Sequence, residues 1–141
     1  MVKIPYYPGC AVQTTARNYA ISGIAVAKKL GIELVELPKW NCCGVFPSLV
    51  TDDLMRHLAP IRNLIHVQEM NENGIVQNEN RVITFCSMCY HTLKEANLFL
   101  KDAEKMEKIN TFLEREKEFV GGVKEGYKGG VEALDFLEVL R

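Results

Sequence analysis

The segment RVITFCSMCY, residues 81–90, joins a short apolar run directly to a pair of cysteines. Its first five residues, Arg81 to Phe85, are mostly β-branched or aromatic, which is typical of a β-strand. Cys86 and Cys89 follow at once as a Cys-x-x-Cys motif. These two cysteines are therefore predicted to lie at the carboxyl end of a strand.

Two earlier segments repeat this arrangement. The stretch from Lys3 to Tyr7 is a short, aromatic-rich strand that ends at Pro8-Gly9, and Cys10 is the next residue. The stretch from Ile32 to Leu37 is a second predicted strand, and the adjacent cysteines Cys42-Cys43 follow it after a short loop. Each group of cysteines thus follows a different strand.

Helices are predicted between these strands. The first begins at Thr14 or Thr15 and runs to about Leu30. Its apolar stripe, expected to face the core, comprises Ile21, Ile24 and Ala25. The second begins at Thr51-Asp52-Asp53, where a hydroxyl and two acids complement the exposed N–H groups. Because the apolar spacing continues past Pro60, one kinked helix is predicted there.

The remaining elements follow the third strand. A helix is predicted from about Thr92 to about Leu113. Its buried stripe comprises Leu93, Ala96, Leu100, Ala103, Met106, Ile109 and Leu113. The segment from Val131 to Leu140 is predicted to form a last short helix or strand. Strands that alternate with helices indicate one α/β domain over residues 1–141, with a small parallel sheet flanked by helices.

In such a fold the cysteine loops come together. The carboxyl ends of parallel strands lie at one edge of the sheet, and ligands of open α/β sheets bind outside that edge. The five cysteines of the chain are therefore expected at one place. Each group also lies near a predicted helix start, where the thiolate form, which binds metals, is stabilised.

The number and spacing of the cysteines favour a polynuclear metal centre. A structural zinc ion needs four ligands, and adjacent side chains such as Cys42 and Cys43 diverge too much to suit one ion well. A cluster with several irons offers separate positions to both. Gly9 and Gly44 would allow close approach of the backbone and offer N–H groups to cluster sulfurs. Three alternatives stay open: a zinc site, a thioredoxin-like Cys86/Cys89 dithiol, and thiols that bind no metal.

The full pattern is Cys10, 31 residues, Cys42-Cys43-Gly44, 41 residues and Cys86-x-x-Cys89. This pattern resembles the cysteine-rich CCG domain found in the B-type subunit of heterodisulfide reductase. Three local segments carry the resemblance further: Tyr7-Pro8-Gly9-Cys10, the stretch from Cys86 to Asn97, and Phe136-Leu137-Glu138-Val139-Leu140. The interval between Cys43 and Cys86 is somewhat long for the family, which indicates a longer loop or helix before the third strand.

The resemblance implies that Cys10, Cys42, Cys43, Cys86 and Cys89 are all ligands of a non-cubane 4Fe–4S cluster. It also implies an oxidoreductase that passes electrons to a disulfide of the CoM-S-S-CoB type, with iron–sulfur and flavin subunits as partners. Family members carry two such domains in tandem, so this chain corresponds to one domain and is not expected to be active alone. Some relatives hold zinc instead, which implies a structural domain that docks a redox complex, as in the E-type subunit of succinate:quinone reductase.

Composition excludes other classes of function. The net charge is −1, from 17 basic and 18 acidic residues. The chain therefore lacks the excess of basic residues that is typical of a nucleic-acid binder. No apolar run is long enough to span a membrane, and the first residues lack a signal peptide. A cytoplasmic location is therefore expected, with membrane association only through a larger complex. Reduced thiols in that compartment, and an odd number of cysteines, argue against structural disulfides.

The three histidines are weaker candidates. His91 lies beside the Cys-x-x-Cys motif and could protonate a product thiolate, although a surface role is the more common one for such a residue. His57 and His66 lie on the second predicted helix, where surface or packing roles are expected. Trp40 precedes the adjacent cysteines and either shields the centre from water or fills core space.

Overall fold

The computed structural model describes residues 1–44, 53–77, 79–117 and 125–141. Its four described strands form one parallel sheet, which confirms the α/β prediction. In chain order the strands are β1 (Val2–Tyr7), β2 (Ile32–Glu36), β3 (Arg81–Thr84) and β4 (Glu132–Asp135). The spatial order is β2-β1-β3-β4, so β1 lies inside the sheet between the strands that precede the other two cysteine groups.

Six described helices cover the sheet. They are α1 (Cys10–Gln13), α2 (Arg17–Lys29), α3 (Asp53–Glu72), α4 (Ser87–Phe99), α5 (Ala103–Glu114) and α6 (Phe136–Val139). One core cluster holds residues of α2 and α6 with one face of the sheet, including Ile4 and Phe85. A second, larger cluster holds residues of α3, α4 and α5 with the opposite face. The helices thus lie in two layers with the sheet between them.

The register of the sheet aligns the ends of three strands. Tyr6 of β1 pairs with Glu36 at the end of β2 and with Ile83 near the end of β3. Parallel strands in this register end at the same edge of the sheet. The three cysteine loops therefore leave the sheet side by side, as the positions of the cysteines after the strands predicted.

Helix α3 is an interior helix. Its five consecutive residues from Leu64 to Gln68 are all buried, which is unusual for a helix that packs on one side of a sheet. The helix is continuous through Pro60, which confirms one helix on both sides of that proline. Of the helix start predicted at 51–53, residues 51 and 52 lie outside the described residues, and Asp53 is the first residue of α3.

The prediction for α2 was wrong about its start and its buried face. The helix begins at Arg17 with no side-chain cap, and Thr14 instead donates a hydrogen bond to the carbonyl of Cys10 (2.9 Å). Ile21 and Ile24 are 60% and 41% exposed, and Ala25 is exposed. The buried residues are Ala20, Gly23 and Ala27.

The physical reason is close packing of α2 against an aromatic ring. A Cβ atom on Gly23 would lie 2.4 Å from the ring of Phe85, so only glycine allows the helix this near to the sheet. Small side chains therefore face inward in α2. The larger apolar ones are displaced toward its exposed flanks.

The single helix predicted from Thr92 to Leu113 was also wrong. It starts earlier, at Ser87, and it is broken at residues 100–102 into α4 and α5. Asp102 caps α5 by accepting hydrogen bonds from the backbone N–H groups of Glu104 and Lys105, which explains the break. Ala103 is consequently exposed and Met106 only half-buried, whereas the other five residues of the predicted stripe are buried.

The last segment contains both of the predicted alternatives, a strand and a helix. β4 ends at Asp135, which starts α6 through a capping box with Glu138. Within the described part of the chain, no helix is both long enough and apolar enough to cross a membrane.

Candidate metal centre

The three loops at the carboxyl edge of the sheet carry all five cysteines. Cys10 is the first residue of α1, and Cys86 is the N-cap residue of α4, with Cys89 in the first turn of that helix. Cys42 and Cys43 lie in the loop after β2. Cys10 and Cys42 are exposed, Cys86 is half-buried, and Cys43 and Cys89 are buried. The group therefore reaches from the core to the surface.

The thiols are close enough to perturb one another. The pKa of Cys89 is raised, first by a hydrogen bond with Cys43, then by burial and by interactions with Cys43 and Cys86. At Cys42 the N–H of Gly44 donates to the sulfur and lowers the pKa, but burial and the neighbouring Cys10 and Cys43 outweigh it, so the pKa is raised overall. Hydrogen bonds thus join Cys10 to Cys42, and Cys89 to both Cys43 and Cys86, while an electrostatic interaction links Cys42 with Cys43.

This donor set fits a thiophilic metal centre. Closely spaced thiols resist ionisation because each new thiolate repels the next, and a bound cation removes that penalty by replacing the protons. Among the described residues, no three Cys, His, Asp or Glu side chains are arranged to hold one ion.

The two glycines of the predicted site lie against the sulfurs. Gly9 has a positive φ of 73°, and a Cβ atom placed on it would be 3.0 Å from Sγ of Cys89. Gly44 also has a positive φ, 69°, and donates its N–H to Cys42. A side chain at either position would be strained, and at Gly9 it would also displace a cysteine sulfur. Their contact with a cofactor stays a prediction.

A buried amide positions the peptide before the adjacent cysteines. Asn63 of α3 is 1% exposed and contacts both polar groups of the Asn41 backbone. Its Oδ1 accepts from the Asn41 N–H (3.0 Å), and its Nδ2 donates to the Asn41 carbonyl (2.9 Å). The hydroxyl of Tyr7 donates to the same carbonyl (2.8 Å). We call these three residues the Asn41 clamp.

The Asn41 side chain secures the same loop on its other side. Its Nδ2 donates to the carbonyls of Cys42 (2.9 Å) and Ala59 (3.1 Å). The loop is thus tied to β1 and to α3 directly ahead of Cys42. Asn63 and Tyr7 were not predicted from the sequence as site residues; for Asn63, the available signal was an amide among the apolar positions of a long helix.

Tyr7 also forms the floor beneath the cysteines. It is fully buried, and its pKa is raised by burial and then by proximity to Cys89, Cys43, Cys42 and Cys10. Its hydroxyl therefore stays protonated and remains a donor. Trp40 packs edge-on against the Tyr7 ring, with 5.8 Å between centroids, and its indole N–H donates to Glu36. Trp40 packs against the larger core cluster and is half-buried, so it fills core space beside the loop.

The histidines occupy three different environments. His91 is exposed and lies 3.4 Å from the carboxylate of Glu95. His57 is buried, with its ring stacked on Phe99 at a centroid distance of 4.3 Å. His66 is buried and bonded through Nδ1 to Glu69 (2.8 Å). His57 and His66 thus have the packing roles that were predicted as one of two options.

Comparison with known proteins agrees with this geometry. The sequence pattern of the family described as "CCG: Cysteine-rich domain" matches residues 4–94, which contain every cysteine of the site. The chain belongs to the CCG cysteine-rich domain family. The match also covers the strands β1, β2 and β3 that position the three loops.

The CCG chain is similar to subunits of two kinds of reductase. It is 33% identical over 135 residues to the 8-methylmenaquinol:fumarate reductase membrane anchor subunit of Wolinella succinogenes, covering 96% of the chain and 42% of that protein. It is 27% identical over 144 residues to the B-type subunit of the ferredoxin/F(420)H(2)-dependent CoB–CoM heterodisulfide reductase of Methanosarcina acetivorans, covering 99% of the chain and 42% of that protein. The chain thus spans about two fifths of the length of these relatives.

A solved structure shares the fold. A hypothetical protein from Helicobacter pylori superposes with a TM-score of 0.73 at 15% identity, over 98% of this chain and 25% of the other. This likeness concerns the fold alone. The relation to the B-type subunits of heterodisulfide reductase, an oxidoreductase family, comes from the sequence matches. A heterodisulfide reductase protein of Archaeoglobus profundus, named as similar to the B-type subunit, is 28% identical over 80% of the chain and 36% of its own length.

Proposed function

We propose that this CCG domain holds an iron–sulfur cluster and passes electrons to a small disulfide within a heterodisulfide reductase-like complex. The proposed ligands are Cys10, Cys42, Cys43, Cys86 and Cys89, and the proposed centre is a non-cubane 4Fe–4S cluster. The observation that carries the proposal is that hydrogen bonds and electrostatic interactions link five thiols from three loops. The relation to the B-type subunits of heterodisulfide reductase supports it.

When bound, such a cluster supplies electrons one at a time to the substrate. Reduction of a disulfide breaks its S–S bond, and each sulfur gains one electron and one proton to become a thiol. Partner subunits with iron–sulfur centres and a flavin are the proposed source of electrons. The CoB–CoM heterodisulfide named for the Methanosarcina relative is the proposed type of substrate.

The residues of this chain prepare the site in two ways. The Asn41 clamp fixes the peptide ahead of Cys42, and Cys86 and Cys89 lie at the N-terminus of α4, where the helix dipole is positive. The clamp thus holds the proposed ligand Cys42 in place before a metal binds. Because the relatives are more than twice as long as this chain, complete turnover is proposed for an assembly that includes further domains.

A zinc-holding structural domain is the second candidate. The observation that favours it is the similarity, at 33% identity, to a membrane anchor subunit. In this alternative, four of the five cysteines bind zinc and the domain joins the subunits of a redox complex, with a membrane-bound partner. Such a domain would be colourless and would accept no electrons.

Metal analysis separates the two candidates. Protein purified without oxygen is analysed for iron, acid-labile sulfide and zinc, and its absorbance and electron paramagnetic resonance spectra are recorded before and after reduction. About four irons and four sulfides per chain, with a reducible signal, are expected. About one zinc and no sulfide would overturn the redox proposal in favour of the structural one.

Serine variants test the ligands one at a time. Replacing Cys42 or Cys43 by serine is expected to lower the iron content and to change the resonance spectrum, because each sulfur binds its own position of the cluster. Ser87→Ala, an exposed neighbour of Cys86, is the matched control and should leave both unchanged. An unaltered spectrum in both cysteine variants would contradict the five-ligand assignment.

A further inference from the structure

A cavity lies between α4 and the strand β4, which forms one edge of the described sheet. Its volume is about 480 Å³, within the range of roughly 300–1,000 Å³ that is typical of ligand pockets. Its lining comes from the second half of α4, from the segment before β4 and from the first residues of that strand. Because α4 begins at the cysteine edge and β4 is parallel to its neighbour, these parts lie toward the opposite edge of the sheet. An occupant would therefore be held away from the five cysteines.

Most of the described lining is apolar. Its buried members belong to the larger core cluster and are Leu100, Tyr127, Val131 and Ala133. The half-buried side chain of Met106 packs against the same cluster. Leu98 is 57% exposed, so the cavity is open to solvent. An apolar group that enters it would leave water for contact with core side chains, which is favourable.

Open space and unpaired N–H groups occur together at Gly129 and Gly130. Both residues line the cavity and have a φ of 84°. A Cβ atom on Gly130 would meet no described atom within 4 Å, and one on Gly129 would meet only Met106, at 3.8 Å. Neither N–H group donates a hydrogen bond to any residue that the structure describes. The two glycines thus allow a ligand to approach the backbone closely and offer it two donors.

A hydrogen-bond network fixes a third donor. Nδ2 of Asn97 donates to the Val131 carbonyl (2.6 Å), and its Oδ1 accepts from the Tyr127 hydroxyl (2.6 Å). That hydroxyl in turn accepts from the N–H of Val131 (3.2 Å). The side-chain amide of Asn97 has two N–H donors, and within the described part of the chain only one of them has an acceptor. The second N–H is therefore available on a side chain whose orientation is already fixed.

The charges around the cavity favour an anion. Lys101 is exposed and forms no ion pair with a described residue. Lys94 donates to the hydroxyl of Tyr90 (2.5 Å) rather than to a carboxylate. The one acidic side chain of the described lining, Glu132, interacts electrostatically with Arg81 as well as with Lys94. The carboxyl end of α4 adjoins the amino end of α5, so the opposing dipoles of these helices offset each other beside the cavity.

We propose that this cavity binds a small carboxylate with an apolar body, such as a medium-chain or aryl-alkyl carboxylic acid. Lys101 supplies the positive charge, and the N–H groups of the two glycines and of Asn97 supply the neutral donors. Such donors complement carboxylate oxygens, whereas the apolar lining accommodates the body of the ligand. The inference goes beyond the proposed function and does not depend on the metal that the cysteines hold.

NMR titration tests the site with ligands that differ in their head group. Isotope-labelled protein purified without oxygen is titrated with octanoate, octanamide and octylamine, and the amide signals of Gly129, Gly130 and the Asn97 side chain are followed. Octanoate is expected to shift all three signals with a Kd of about 1 mM, the affinity typical of a ligand of about ten atoms. Octanamide should bind about tenfold more weakly because it lacks the charge-assisted contact, and octylamine should bind least. Equal affinities for the three ligands, or shifts confined to other residues, would overturn the proposal.

Variants separate the charged contact from the apolar one. Lys101→Gln is expected to weaken octanoate binding about tenfold and to leave octanamide binding unchanged, whereas Lys101→Arg retains the preference for octanoate. Leu98→Ser should weaken both ligands alike, because it removes an apolar contact. Lys29→Gln is the matched control, since Lys29 is an exposed lysine of α2 on the other face of the sheet, and it should change neither affinity. Unchanged octanoate binding in Lys101→Gln would contradict the anion assignment.

A peptide ligand provides the last comparison. A carboxylate with an apolar body also occurs at the end of a polypeptide whose last residue is leucine. An acetylated tetrapeptide of this kind is expected to bind no more tightly than octanoate, because the additional peptide groups have no donors or acceptors assigned to them in the cavity. Binding about tenfold tighter than that of octanoate would overturn the small-molecule assignment in favour of the carboxyl terminus of a partner chain.

Discussion

The Asn41 clamp is expected to contribute both to the free energy of unfolding of the domain and to its retention of the proposed metal centre. Replacing Asn63 by alanine removes the acceptor of the Asn41 N–H and one of two donors to the Asn41 carbonyl. Each buried hydrogen bond contributes about 1 kcal/mol, and an unsatisfied N–H costs about 1 kcal/mol more. The free energy of unfolding of metal-free protein is therefore expected to fall by about 3 kcal/mol.

Tyr7→Phe provides the second arm of a double-mutant cycle. It removes only the hydroxyl that donates to the Asn41 carbonyl, which Asn63 still satisfies, so the expected loss is about 1 kcal/mol. In the double variant this carbonyl loses both of its donors. The combined loss should therefore exceed the sum of the single losses by about 1 kcal/mol.

The assay is urea unfolding of each variant under reducing, oxygen-free conditions, followed by measurement of retained iron after loading. Asn110→Ala is the matched control because Asn110 makes an equivalent pair of hydrogen bonds to the Tyr127 backbone, remote from the cysteines. It should lower stability but leave metal retention unchanged. Additive losses in the cycle, or equal metal retention in Asn63→Ala and Asn110→Ala, would refute the reasoning.

Three further substitutions test other parts of the structure. Gly9→Ala should cost about 1 kcal/mol through its positive φ and should lower metal retention, because the new Cβ would lie 3.0 Å from Cys89 Sγ; unchanged metal content would contradict this contact. Gly23→Ala should cost about 1–3 kcal/mol by forcing α2 away from Phe85, measured by thermal unfolding, with no effect on metal. The pKa of Glu79 is lowered by its hydrogen bond with Arg81, so this pair stabilises the fold above about pH 4.5 and the contribution is lost as pH falls. Glu79→Gln should thus be less stable than wild type at pH 7 but equal to it in acid, and a stability difference that does not depend on pH would exclude the mechanism.

The position of the cysteines was predictable because it depends on topology. The cysteines follow short β-branched or aromatic runs that are separated by helical segments. If those runs form a parallel sheet, the cysteines meet at one edge of it. The family relation could likewise be read from the spacing of Cys10, Cys42-Cys43 and Cys86-x-x-Cys89. These features follow from local sequence patterns, and the order of the strands in the sheet then determines where the cysteine loops lie.

The orientation of α2 and the break between α4 and α5 were not predictable in the same way. Apolar residues in α2 suggested an inward face, but contact with the Phe85 ring selected Gly23 and its small neighbours instead. The apolar spacing continues through residues 100–102, but the helix does not. It ends there because Asp102 caps a new helix, α5. Both errors arise where a specific contact outweighs a periodic pattern.

Helix α3 carries polar side chains that the apolar spacing of the sequence did not single out. Three of its amides each pair with the backbone of a different loop. Asn63 holds Asn41, Gln68 holds the peptides of Gly126 and Lys128, and Asn71 holds Glu79. Each side-chain amide has both a donor and an acceptor. It can therefore make with the backbone of a loop the hydrogen bonds that a neighbouring strand makes within a sheet.

One of these three amides, Asn63, acts at the loop that carries Cys42 and Cys43. The proposed ligands Cys42 and Cys43 lie in a loop after β2, where strand pairing does not hold the backbone. The middle of α3, residues 63–68, is buried throughout and can therefore hold rigid amides against such a loop. The burial of α3 thus positions Asn63, which in turn holds the backbone directly ahead of the proposed ligands Cys42 and Cys43.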